Sequence, residues 1–295
     1  MDAVGQRGTD RRPWGLAVAA MCAASAYIAL YSLGNIRTHL LRFDALITAA
    51  MAVTVLVYRA WDTLAGDNER RAVRLVIIAA VAFRMALLWL PPSLSDDLYR
   101  YAWDGHVLAN GFNPYAYAPS DPALRSLRDD SYTHLAYKEY HSIYPPVAEI
   151  GMGAAAFVSE MCGGSMRATM VVWKLLLIMA ELASMLIIVQ LLRLWNMPSR
   201  RLVLYAWHPL AVIEFAGQGH ADALMIAGVL YAVYGIARAR RGIGMLGYGF
   251  SIASRWVPLI FAPAMARAIR AAMSASSGRR ASAGSAAGTA PPQYR

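Results

Sequence analysis

The chain has 295 residues, of which 58% are hydrophobic and only 16% charged, where a soluble domain carries about 25% charge. That deficit, with apolar runs of about 20 residues, excludes an ordinary soluble enzyme and points to a membrane protein. The net charge of +10 does not indicate a nucleic-acid partner, because the arginines fall in short clusters between apolar runs.

The first apolar run, 14–34, follows Arg7, Arg11 and Arg12 and has the length of a retained anchor. Further full spans are predicted at 44–60, 72–90, 168–192, 202–217 and 221–237, close to the roughly 17–25 residues that a hydrocarbon core requires. Segments 147–162 and 243–270 are less regular. With the N-terminus in the cytoplasm, Arg59, Arg70, Arg71, Arg74, Arg193, Arg200, Arg201, Arg238, Arg240 and Arg241 all fall on the cytoplasmic side. The loop 91–146 then lies outside, with seven acids against four bases. A full crossing by 147–162 would put Arg193 to Arg201 outside, so this segment, with Gly151 and Gly153, is expected to dip in and return or to lie on the outer surface. Segment 243–270 reads as a helical hairpin with Arg255 at its outer tip. From 272 the Ser/Ala/Gly/Arg-rich composition predicts a disordered basic tail. Cys22 and Cys162 give neither a disulfide framework nor metal-ligand spacing. The expected fold is an all-α polytopic bundle of about 6–8 membrane segments, with one membrane domain over 1–271 and one large outer loop after the third span.

Ionisable groups inside a membrane cost about 2.5–3.5 kcal/mol each on insertion scales, so they mark candidate sites. Here they are Arg84, Lys174, Glu181, His208 and Glu214, with His220, Asp222 and Arg255 at the ends of apolar runs. The orientation above brings Arg84, Lys174, Glu214, His220, Asp222 and Arg255 to the outer half or surface, beside Asp96 and Asp97. One cavity open to the outside accounts for most of them. Plainer readings stand next to this one. Arg84 and Lys174 can snorkel to headgroups, and Lys174 and Glu181 can form a structural pair. His208-Pro209 can be only a kink, His220 and Asp222 ordinary loop residues, and Asp96 only an N-cap.

Eight of the 16 tyrosines lie in 91–146. Such rings form belts at membrane surfaces, and they also offer faces to sugar rings. Asp96, Asp97, Asp104, Asn110 and Asn113 offer partners for sugar hydroxyls. Phe112-Asn113-Pro114-Tyr115 reads as a turn, and Ile143-Tyr144-Pro145-Pro146 as a rigid extended lead into the next apolar segment.

Three ordered blocks carry a resemblance. The first is Asp97-Leu98-Tyr99-Arg100-Tyr101-Ala102-Trp103-Asp104-Gly105 with Gly111-Phe112-Asn113-Pro114-Tyr115 and Tyr144-Pro145-Pro146. The second is Trp207-His208-Pro209-Leu210 followed by Glu214-Phe215-Ala216-Gly217-Gln218-Gly219-His220-Ala221-Asp222. The third is Ser254-Arg255-Trp256-Val257-Pro258-Leu259. Over residues 75–265 the chain resembles the bacterial polyprenyl-phosphate-sugar-dependent mannosyltransferases of the GT-C class, and more distantly GPI mannosyltransferase I. The resemblance implies a multi-pass enzyme of the cytoplasmic membrane with its catalytic loop outside. It implies a polyprenyl-phosphate donor carrying a sugar, commonly mannose, and a glycan or glycolipid acceptor. The essential acid maps onto Asp97, with Asp96 the neighbouring candidate. Arg255 is the first choice for the donor phosphate, with Arg84 and Lys174 behind it. Tyr99, Arg100, Trp103, Asp104, Asn113, Tyr115, His220 and Asp222 are candidates for sugar or acceptor. A divalent metal near Asp96 and Asp97 is left open, because adjacent acids alone do not make a site.

Relatives continue through more membrane helices after the third block, so the low-complexity tail predicts a shortened member. Two further readings follow: an inactive homologue or partner subunit, and a flippase for lipid-linked sugars. The flippase reading lacks the paired repeats common in transporters.

Overall fold

The computed structural model describes residues 13–268 and 270. Arg7, Arg11, Arg12 and the tail from 272 lie outside the described residues. The chain is all-helical, with no strand among the described residues. The helices are α1 (Trp14–Ser32), α2 (Leu40–Arg59), α3 (Trp61–Leu64), α4 (Glu69–Ala86), α5 (Asp97–Ala109), α6 (Pro146–Met161), α7 (Met166–Leu194), α8 (Val203–Ala206), α9 (Pro209–Ala211), α10 (Asp222–Ala237) and α11 (Arg241–Ser254).

Three of these, α1, α2 and α7, are long and apolar enough to cross a membrane. α4 runs with α1 and α7 but carries Glu69, Arg70, Arg71, Arg74 and Arg84. α10 is a shorter apolar helix of 16 residues. At 1.5 Å per residue, the 29 residues of α7 reach roughly 44 Å, well beyond a hydrocarbon core of roughly 30 Å. Its first turns therefore extend past the neighbouring helix ends, and α5 and α6 pack there. Lys174 marks the level, because its ammonium donates to the carbonyls of Leu88 and Leu90 just after α4. At the far end of α7, Arg193 meets Glu69 and Arg70 around a cavity of about 470 Å³. Thus loop 91–145 gathers at one end of the bundle, and Arg59, Arg70 and Arg193 at the other.

Of the two alternatives for segment 147–162, a dip and return or a position on the outer surface, the first is not seen: α6 is one continuous helix, packed on α5 and α7. Gly151 and Gly153 are not breakers but flat places, facing the Trp173 ring and the Leu108 side chain. Gly163, with φ +67°, makes the reversal into α7. Run 202–217 is not one helix. It breaks at His208, whose Nδ1 accepts from the Leu210 amide at 3.2 Å, and Pro209 starts the next turn. A π-helix then spans Val212–Gly217.

The sequence predicts a hairpin between the two halves of 243–270; the hairpin that packs closely joins α11 instead to α10. α10 and α11 pack antiparallel through glycines. A Cβ at Gly228 would lie 2.8 Å from the Ser251 amide, and one at Gly247 would lie 2.5 Å from the Ala232 amide. Small residues of this kind let apolar helices approach closely without side-chain interdigitation. Arg255 follows α11 at the loop end of the bundle, and an apolar helix, Val257–Ala268, comes after it.

The candidate functional site

The site is built where the sequence interrupts its apolar helices. Asp96 and Asp97 open α5. Asp96 occupies the N-cap position without capping the helix. Its carboxylate instead pairs with Arg37 at 3.2 Å, with both side chains about half exposed. Asp97 lies in the first turn of α5, where the helix dipole favours a negative charge. Its amide donates to Ser95 Oγ at 3.1 Å. Its side chain is 48% exposed, and Oδ2 lies 3.9 Å from His220 Nε2.

His220 comes from the Gly217-Gln218-Gly219 turn after the π-helix. Its other nitrogen, Nδ1, hydrogen-bonds Glu214 Oε2 at 2.6 Å. The π-helix makes this pairing local, since the His220 amide also donates to the Glu214 carbonyl at 3.0 Å. The turn is fixed from two sides. Gln218 is fully buried, and its Oε1 accepts from the Ser93 and Leu94 amides at 3.1 and 3.0 Å. Trp173 Nε1 donates to the Gly219 carbonyl at 2.8 Å. Gly219 has φ +77°, and Leu98 fills the space a side chain would need. The residues holding His220 thus also hold the strand of chain that leads into Asp96 and Asp97.

Two residues later, Asp222 starts α10 and pairs with Arg255 at 2.8 and 3.2 Å. The Arg255 guanidinium lies 5.9 Å over the Tyr144 ring, which packs edge-on against Tyr101 at 4.8 Å. Tyr101 follows Asp97 by one turn of α5, and Asp97 faces His220, two residues before Asp222. The structure therefore brings together Asp97, His220, Asp222 and Arg255, four sequence candidates from three separate blocks.

The remaining candidates lie elsewhere. Arg84 is fully buried, bonded to Glu181 at 2.5 Å and to the Ala80 and Ala206 carbonyls. Lys174 is buried on carbonyls and lines a separate cavity of about 370 Å³, with Tyr99 and Arg167. Neither Arg84 nor Lys174 pairs with Asp96 or Asp97. Tyr99 stacks on His134 at 4.9 Å. Trp103 is buried against Tyr132. Asn113 Oδ1 accepts from the Tyr115 amide at 2.9 Å, which closes the expected turn, and the Tyr115 hydroxyl donates to the Tyr144 carbonyl at 2.6 Å.

Arg100 Nε donates to both carboxylate oxygens of Asp104, at 2.8 and 2.9 Å. Arg100 also donates to the Tyr140 carbonyl at 2.9 Å, so it ties the returning loop to α5. Glu149 lies beside them and accepts from Ser142 Oγ. Burial pushes the Asp104 carboxyl up to about 6, against the lowering effect of Arg100. Burial and the neighbouring Asp104 push Glu149 up to about 8.

A groove of about 810 Å³ runs along α2 from Arg59 to Leu94, His208 and Glu214. Its walls include Phe43, Ile47, Met51, Val55 and Ile213. A second cavity of about 330 Å³ shares His208, Leu210 and Glu214 with it and reaches His220 and Asp222. Among the described residues, no group of three or more His, Cys, Asp or Glu side chains is spaced to hold a metal ion.

Sequence reasoning missed Arg37 and the pairing of Glu214. Arg37 lies outside every motif block, and only the fold carries it to Asp96. Glu214 was visible as an intramembrane acid, but its pairing depends on the π-helix.

The family described as "Alpha-(1->6)-mannopyranosyltransferase, N-terminal domain" matches residues 14–271 of the chain. No curated protein and no solved structure matches it.

Proposed function

Because the chain belongs to the alpha-(1->6)-mannopyranosyltransferase family and is by that membership a membrane-embedded glycosyltransferase, we propose that it transfers mannose, with inversion, from a polyprenyl phosphate to an acceptor hydroxyl. Transfer occurs on the outer face of the cytoplasmic membrane. The observation that carries this reading is the cluster at the loop end. The accessible carboxylate of Asp97 faces His220 and the cation Arg255 pairs with Asp222, and His220 and Asp222 line the small cavity that shares Glu214 with the apolar groove.

A phosphate on C1 is a good leaving group, so the reaction needs no strong general acid. Asp97 accepts the proton of the acceptor hydroxyl. The hydroxyl oxygen bonds to C1 as the C1–O bond to phosphate breaks, through an oxocarbenium-like transition state. Arg255, held in aim by Asp222, stabilises the departing lipid phosphate. The prenyl chain lies in the groove beside α2, whose walls are apolar over most of their length. Sidedness follows from charge: the arginine-rich end is cytoplasmic and the acidic loop faces outward.

The test is transfer from radiolabelled polyprenyl-phosphate mannose in membranes containing the chain. Asp97→Asn is expected to abolish transfer while the protein still inserts. Normal transfer by that variant would remove Asp97 from the mechanism. Arg255→Ala should lower kcat by about 100-fold, as for loss of one charge-stabilising donor.

A further inference from the structure

Glu214 and His220 pair on a cavity wall and not in the buried core. Each is partly exposed, at 28% and 18% of its side chain. Both line the small cavity that reaches Asp222. The charged or titratable groups around the imidazole are Glu214 from the π-helix, Asp97 from α5, Asp222 from α10 and Arg255 after α11, with His208 and Tyr205 on the cavity wall. Arg255 is already committed to Asp222. The imidazole is therefore bracketed by two carboxylates, one on each ring nitrogen.

We infer that Glu214, His220 and Asp97 form a proton-withdrawing chain, in which His220 receives the proton that Asp97 takes from the acceptor and Glu214 holds the imidazole for that task. The inference rests on Asp97 being the base. With Nδ1–H donated to Glu214 at 2.6 Å, Nε2 is left as the free acceptor nitrogen, turned towards Asp97 Oδ2 at 3.9 Å. The proton balance is simple. The acceptor O–H bond breaks, its electron pair forms the new bond to C1, and the phosphate departs with the C1–O pair. With substrate bound, the gap closes to hydrogen-bond distance or is bridged by one water, and the proton passes from Asp97 to Nε2, giving an imidazolium between two carboxylates. Asp97 is then ionised again before the product leaves. Glu214 acts on the imidazole and not on the reacting atoms, so in this step it is a positioning residue.

The π-helix supports the assignment. A widened turn at Val212–Gly217 spoils regular helix hydrogen bonding, and such turns gather at functional sites. Here it brings Glu214 back onto a residue six positions later. A regular α-helix puts residues three and four apart on one face.

Three variants test the chain by the pH dependence of kcat in the membrane assay. Glu214→Gln keeps a hydrogen-bond acceptor but removes the charge. The acid limb of its profile should move down by about one pH unit, and the plateau should fall about tenfold, with KM little changed. Glu214→Leu should lower the plateau further, and His220→Asn should remove the limb with about 100-fold of kcat. A Glu214→Gln profile that superimposes on the wild type, with Asp97→Asn inactive, would overturn the relay and leave Asp97 as base. Activity in Asp97→Asn would instead overturn the parent reading. Should Glu214→Leu fail to insert, Glu214→Gln alone decides the matter.

Discussion

Arg84 and Glu181 were both legible as charges in the wrong solvent, and the structure gives them to the scaffold. Their side chains are fully buried, they meet at 2.5 Å, and the Tyr205 hydroxyl donates to the second Glu181 oxygen at 2.6 Å. Removing one partner strands the other charge. Glu181→Leu should therefore destabilise the protein by about 3–5 kcal/mol, read from denaturant unfolding in micelles. Arg84→Met combined with Glu181→Leu should recover most of that loss. Asp104 and Glu149 make a different statement. Each holds its proton more tightly in the folded chain than in the unfolded one, because burial raises both. The folded state thus binds more protons across this range, and stability falls as pH rises. For Asp104 the fall runs from its usual value near 3.8 to about 6, and for Glu149 from 4.5 to about 8. Melting temperatures measured between pH 4 and about 8 should decline, and Glu149→Gln should flatten the upper half of that curve. The sequence showed Asp104 as a polar residue in a motif. It could not show that Ser142 and Glu149, about 40 positions downstream, would close over it, because only the return of the loop brings them there.

Among elements, the α10–α11 hairpin governs the position of Arg255. Its glycines put backbone against backbone, so a side chain there cannot be absorbed by a flexible neighbour. Gly247→Leu should separate the two helices and draw Arg255 from Asp222. The expected result is loss of at least about tenfold in kcat with the chain still inserted, measured in the transfer assay with insertion checked by protease protection. The glycines could be read from the sequence, but their partners could not, since helix pairing depends on which hairpin closes. Run 202–217 shows the opposite limit. Its hydropathy is that of a span, and hydropathy carries no information about hydrogen bonds. The break at His208-Pro209 and the widened turn after it are decided by backbone donors and acceptors. In segment 147–162 the dip and return, one of two alternatives, does not form for a related reason. Glycine weakens an isolated helix, yet between Trp173 and Leu108 it is what permits close contact.

For the molecule as a whole, the three motif blocks were legible as a set because each interrupts an apolar run with charge. The structure brings all three to the loop end, while the arginine clusters gather at the other. The groove along α2 links the two ends. Ala52 lines it, and Ala52→Trp should obstruct it. With a full-length prenyl donor KM should rise by about tenfold, equivalent to about 1.4 kcal/mol of lost binding. A donor with a short chain should be little affected, which separates tail binding from chemistry. No run of sequence announces this groove, because its walls come from α2, the broken run and the residues before α5.

The Gln218 amide has one more bearing. A single oxygen holds both Ser93 and Leu94, and the same turn delivers His220. The backbone leading to Asp97 and the turn carrying His220 are thus riveted to a common handle. In the proposed mechanism, room for an incoming glycan would come from the opposing jaw, where Arg255 grips Asp222 by one ion pair, while the half-exposed Asp97 side chain would swing across the 3.9 Å that separates it from His220.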